Sequence, residues 1–205
     1  MLAGLLLRDR DPQTALRVLS PLLASGLDPA ANPLLRTYCP HASGSIAVDG
    51  VPFTLTMSRD LLAVLTSQLH SRLGELAAAR SAEQAMTDSW WARVWRADLA
   101  VEAGDCNEAI TLTDKITNVD DLSALALTVR GAALRQAGHL TAAQEAFREA
   151  LRYPSRMASV RHRARLERVR LYLDQRQNAK ARTDLERIVA EDSRFPGVQE
   201  IHAHL

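Results

Sequence analysis

The chain has 205 residues, room for one ordinary domain or one short repeat array. Apolar residues supply 47% and charged residues 24%, the balance of a soluble globular protein. With 25 Lys plus Arg against 24 Asp plus Glu, the net charge of +1 argues against wholesale nucleic-acid or membrane binding, and a collagen, a disulfide scaffold and a charged tail are excluded as well. Aromatics reach only 4%, so the core must be built mainly from Leu, Ala and Val. Cys39 and Cys106 are too few to staple the fold and read as reduced thiols in a cytoplasm. Arginine far outnumbers lysine, which occurs only as Lys115 and Lys180; this usage suggests a GC-rich bacterial source.

At the N-terminus, Met1 to Leu7 is apolar but too short for a signal sequence, and Arg8-Asp9-Arg10-Asp11 follows in the wrong charge order. Leu6, Ala15, Leu19 and Leu22, ahead of Asp28-Pro29, have the small-then-large spacing of a packed helix. Asn32 to Gly44, with Pro33, Pro40 and Gly44, reads as a loop. Residues 45–56 then alternate apolar and polar around Asp49-Gly50, a strong hairpin signal, and Pro52 confines its strand to an edge. An isolated hairpin is marginal in water, so this one is expected to lie against helices. Residues 58–87 read as two helices. Ser58 caps the first, which carries Leu61, Leu62, Leu65 and Leu69; the second, Glu75 to Met86, is Ala-rich.

Beyond residue 88 the chain repeats itself. Gly104 and Gly138 are 34 residues apart, as are Ala109 and Ala143. The series Gly131, Leu134, Gly138, Ala143, Phe147 and Ala150, closed by Pro154, resembles the tetratricopeptide repeat, a helix-turn-helix of about 34 residues. A following copy has Tyr172, Ala181, Leu185 and Ile188 ahead of Pro196, with about four residues inserted near Pro154 to Ser159. A weaker preceding copy has Ala97, Gly104, Ala109 and Ile116, but Thr113 where the large apolar residue is usual. The expected organisation is a degenerate N-terminal repeat (1–29), a loop and β-hairpin (30–57), a helical pair (58–88), three repeats (89–196) and a C-terminal helix remnant (197–205). The resemblance implies an all-α fold, a right-handed superhelical solenoid with one small β-hairpin inserted near 45–56. The apolar start, Leu2, Leu5, Leu6 and Leu7, reads as a truncated first helix that either self-associates or is covered by the hairpin.

Chemistry is sparsely signalled. Cys39 and His41 sit two residues apart, but a Cys–His pair also needs an orienting group, and a metal site needs three or four ligands. His202 and His204 point to different helix faces, and His70 or His162 would join them only through the fold. No phosphate-loop or dinucleotide spacing occurs, so no metal and no cofactor is expected. From Arg152 to Arg170 seven arginines meet one acid, Glu167. Arg161, Arg165 and Arg168 share one helix side and Arg163 and Arg170 another, so the charge wraps around the helix.

Trp90, Trp91 and Trp95 gather at the start of one helix, and Trp91, Trp95, Asp98 and Glu102 share a face. In the repeats this chain resembles, the first helix of each unit lines a concave groove. The resemblance therefore places Trp91, Trp95, Asp98, Leu125, Arg135, Arg163 and Arg170 toward a ligand. The basic clamp of chaperone-binding members is not reproduced: Val94, Asp98 and Val129 stand in its places. The expected function is a non-enzymatic scaffold for a protein or an acidic peptide. One alternative is a nucleic-acid-associated regulator using Arg152 to Arg170; another is an enzyme with a site at the hairpin and the Cys39 loop.

Overall fold

The computed structural model describes residues 11–48 and 51–202, so the Asp49-Gly50 turn, the leucines of the first ten residues and His204 lie outside the described residues. Those described form eleven α-helices and one two-stranded sheet. They fall into two units, Met1–Ile46 with Pro52–Ala92, and Ala47–Val51 with Arg93–Leu205.

In the first unit, α1 (Pro12–Ala24) starts where the Asp11 side chain accepts from the Thr14 N–H and Pro12 supplies a pre-set φ. Ala15, Leu19 and Leu23 face inward, while Leu22 is 39% exposed; the buried stripe runs every fourth residue, a correction to the Leu22 assignment. The stretch from Asn32 is not all loop either. The Asn32 side chain accepts from the N–H groups of Leu34 and Leu35, and Pro33 opens α2 (Pro33–Tyr38). None of the α2 residues is buried. Strands β1 (Ser43–Val48) and β2 (Val51–Thr56) pair, and two residues between them make the ladder antiparallel. Ile46, Val48 and Val51 are buried between exposed neighbours, the alternation expected of a strand with one covered face. Phe53 meets the Trp91 ring edge-on at 6.4 Å, and a Cβ on Gly44 would approach the Leu61 methyls to 3.0 Å. Helix α3 (Arg59–Arg72), capped by Ser58 as expected, is central to this unit, packing against α1 and against α4 (Leu76–Glu83).

Helix α5 (Trp90–Glu102) leads into the second unit. There α6 (Cys106–Leu112), α7 (Asp121–Gln136), α8 (Leu140–Ala150), α9 (Ala158–Asp174), α10 (Asn178–Glu191) and α11 (Val198–His202) follow. Ala100 on α5, Ala109 on α6 and Ala133 on α7 meet at a seam with no room for larger side chains. Helix α7 packs on α8, α9 on α10, and α9 also on both members of the preceding pair. Ala143, Phe147, Leu134 and Leu171 form one core cluster; Leu166, Val169, Ala181, Leu185, Ile188 and Phe195 form the next.

One turn recurs through both units. The N–H of Asp105 bonds to the Ala100 carbonyl, His139 to Leu134, Gln177 to Tyr172, and Glu75 to His70, all at 2.8–2.9 Å. Each bond spans a left-handed residue: Gly104, Gly138, Arg176 and Gly74. These are Schellman closures at helix C-termini. The α3–α4 pair thus shares the turn of the pairs α5–α6, α7–α8 and α9–α10, and Gly74 and Ala79 keep the five-residue spacing of Gly104–Ala109 and Gly138–Ala143.

The extra residues between the last two copies do not lie in the Pro154 to Ser159 connection. The stretch 151–157 is no longer than 113–120; instead α8 has 11 residues where α6 has 7. Helix α6 stops early because the buried Thr113 hydroxyl bonds back to the Ala109 carbonyl at 2.6 Å and Lys115 takes φ 55°. The Arg130 guanidinium donates to the freed carbonyls of Ile110 and Thr113, both at 2.9 Å. An arginine thus satisfies the end of the truncated helix, where α8 has its phenylalanine.

Candidate functional site

The arginine-rich helix α9 is compensated from within. Arg161, His162 and Arg165 reach Glu191 on α10 at 3.0, 3.1 and 3.1 Å. Arg168 forks onto Asp184 of α10 at 2.7 and 2.9 Å. Arg156 donates to the Asn118 side chain and carbonyl at 3.1 Å, and Arg152 pairs with Glu149 at 3.2 Å. Arg163 and Arg170 both turn to Glu167. The two faces expected for the run are present, but each meets acids; the run is not a bare cationic patch. The grip on Glu191 holds its carboxyl down at about 2, chiefly through the His162 hydrogen bond and then through Arg165 and Arg161. His162, only 3% exposed, lies edge-on to Phe195 at 5.4 Å.

The most concentrated charge lies around Glu167, itself 1% exposed. Arg163 reaches it at 3.0 Å, Arg135 of α7 at 3.9 Å, and Arg170 hydrogen-bonds it directly. Arg135 also donates to Asp174 at 2.9 Å. Burial pushes the Arg163 guanidinium down to about 10, against the pull of Glu167. Asp98 on α5 completes the group. Burial, then the nearby charges of Glu102 and Glu167, raise its carboxyl to about 7. Helices α7 and α9 thus join through one ion cluster, and Asp98 on α5 lies within electrostatic reach of its carboxylate.

The other groove candidates divide. Trp95 is 6% exposed and Leu125 1%, so both are packed inside and closed to a ligand. Trp91 is half-buried and belongs to the first unit, where it holds Phe53. The side chains of Arg135 and Arg170 stay partly exposed, 17% and 33%, although the Arg135 Nε is shielded from water. Glu167 and Asp174 were not singled out from sequence, yet the spacing Arg163, Glu167, Arg170 was a legible signal of ion pairing on one helix.

Cys39 and His41 are both exposed. A cavity of about 220 Å³ does form at the Cys39 loop, but Pro29, Leu35, Pro40 and Met57 dominate its lining and His41 is not part of it. Among the described residues no group of three or more His, Cys, Asp or Glu has a metal-binding arrangement, and no helix is long and apolar enough to cross a membrane. Compared with known proteins, the chain matches no family model and no curated relative.

Proposed function

We propose that this protein is a non-enzymatic helical-repeat scaffold, akin to tetratricopeptide-repeat proteins, that holds a protein or peptide on the face formed by α5, α7 and α9. The observation that carries the reading is the Glu167 cluster, which joins α7 and α9, with Asp98 of α5 within its electrostatic reach. A buried ion network contributes little net stability compared with apolar packing of the same volume. What it does supply is oriented guanidinium groups, and Arg135 and Arg170 retain solvent-facing surface. A solenoidal arrangement with a concave binding face is part of the same proposal, supported by the recurring Schellman turn. Because Asp174 and Glu167 already hold these arginines, the partner is one whose acidic groups are spaced to meet Arg135 and Arg170 while avoiding the carboxylates. A reducing, cytoplasmic location accords with two free thiols, Cys39 and Cys106.

A displayed random-peptide library, selected on the intact chain, tests the proposal. Selected peptides should be acidic, and the double variant Arg135→Ala, Arg170→Ala should weaken them at least tenfold while the circular dichroism spectrum is unchanged. Selected peptides that bind the folded double variant like the parent would place the working surface elsewhere. Peptides replaced by single-stranded nucleic acid, with a steep salt dependence of binding, would favour the nucleic-acid reading.

A further inference from the structure

Between α1, α3 and α4, within the first unit, lies a cavity of about 410 Å³. Leu23 and Ala82 give it an apolar floor, Ser20 and Ser81 place hydroxyls along it, and Arg59 and His70 mark its ends. Arg59 and His70 are both on α3, eleven residues apart, which is roughly 16 Å along a helix. The cavity is therefore an elongated cleft with a guanidinium at one end, an imidazole at the other, and alkyl and hydroxyl groups, Thr66 among them, between.

The state of Arg59 gives the cleft its chemistry. Among the described residues its guanidinium makes one long hydrogen bond, from Nη1 to the Gly26 carbonyl at 3.4 Å, and its Nε is shielded from water without a partner. The acids beside it are committed elsewhere. Asp28 accepts from the backbone N–H groups of Ala30 and Arg59, at 3.0 and 3.1 Å, and Asp60 accepts from the N–H and hydroxyl of Thr87, at 2.8 and 2.6 Å. A cation lining a cleft with no ion-pair partner among the described residues is a ready receptor for a planar anion, since a guanidinium offers two parallel donors to a carboxylate. At the other end, the His70 ring is fixed by Glu75, its Nδ1 lying 2.6 Å from Oε2, so Nε2 is the ring nitrogen left for a ligand.

We propose that this cleft binds a linear aliphatic carboxylate, with the carboxylate on Arg59 and the chain lying over Leu23 and Ala82 toward His70. The length between the polar ends, roughly 16 Å along α3, favours an extended chain over a compact ring. The proposal is independent of the peptide-binding face on α5, α7 and α9.

Octanoate is the probe, titrated into the full chain and followed by amide chemical shifts. Saturable shifts confined to α1, α3 and α4 are expected, with octanol and octylamine at least tenfold weaker. Arg59→Gln should weaken octanoate about tenfold, the loss of one charge-assisted contact. Ala78→Leu, which narrows the cleft from its half-buried wall without touching Arg59, should weaken octanoate and octanol alike. Equal affinity for octanoate and octanol, shifts spread over both units, or unaltered octanoate binding by folded Arg59→Gln would each overturn the proposal.

Discussion

Gly131→Ala is the sharpest probe of the repeat packing. Ordinarily this change in a helix interior stabilises by about 1 kcal/mol, because alanine restricts the unfolded chain and favours the helix. Here a Cβ at position 131 would lie 2.4, 2.7 and 2.8 Å from Cε1, Cδ1 and Cζ of Phe147. Ordinary contact begins near 3.4 Å, so the ring must move by about 1 Å. It cannot move far: Phe147 is 0% exposed and packed among Leu134, Ala143, Ala146 and Leu171. Overpacking of this kind costs roughly 1–3 kcal/mol, which exceeds the propensity gain. The net expectation is destabilisation of up to about 2 kcal/mol, measured by urea unfolding. The Phe147→Leu background supplies the control. With the ring gone, Gly131→Ala should become neutral or stabilising, giving a coupling energy of about 2 kcal/mol. A parent-background Gly131→Ala that raises stability would refute the close approach of α7 and α8.

Arg176 holds the left-handed position that glycine fills in the other three Schellman turns, with φ 58° and its side chain exposed. Arg176→Gly should therefore stabilise by about 0.5–1 kcal/mol in the same urea assay, and no change would mean that the turn is not strained. Asp98 titrates near 7 when folded against 3.8 as a free side chain, so the folded state binds more protons and stability falls as pH rises from about 4 to 7. Asp98→Asn should abolish that decline and be more stable at pH 8 by on the order of 2 kcal/mol, read from unfolding midpoints across pH. Glu191 acts oppositely: its carboxyl is held near 2, so its contribution is present above about 4.5 and lost as pH falls through 2. Glu191→Gln should flatten the acid limb of the stability profile.

Much of the helical framework was readable because it rests on local rules. The 34-residue offset between Gly104 and Gly138 marked two positive-φ turns, and Ala109, Ala143 and Ala181, at the close approaches between helices, are all 0% exposed. The hairpin was legible from Asp49-Gly50 and its alternation. What escaped has a common cause: an unfamiliar residue doing a familiar job. Arg176 replaces glycine in a turn, Arg130 satisfies the shortened end of α6, and Asn32 turns a Pro-containing loop into a helix start. The α3–α4 pair, whose second helix is short and has Glu83 where α8 has Phe147, keeps only the Gly74–Ala79 spacing of the motif, and hydrogen bonding makes its kinship plain.

The candidate site was less legible for a reason intrinsic to charge. A helical wheel sorts residues into faces but not into partners, and seven arginines against one acid from Arg152 to Arg170 look like an excess until α10 supplies Asp184 and Glu191. Glu167 is the converse case. As the lone acid in a basic run it reads as a minor correction to the charge, yet it is the buried point on which Arg135, Arg163 and Arg170 converge. Its removal would leave three guanidinium groups without their shared carboxylate, two of them only partly hydrated, whereas removal of any one arginine leaves Glu167 paired. Such a centre is fixed by its least replaceable member. The orientation of Arg170, on which the proposed partner depends, is therefore set by Glu167, and that of Arg135 by Asp174 and Glu167 together, rather than by the arginines that would touch the ligand.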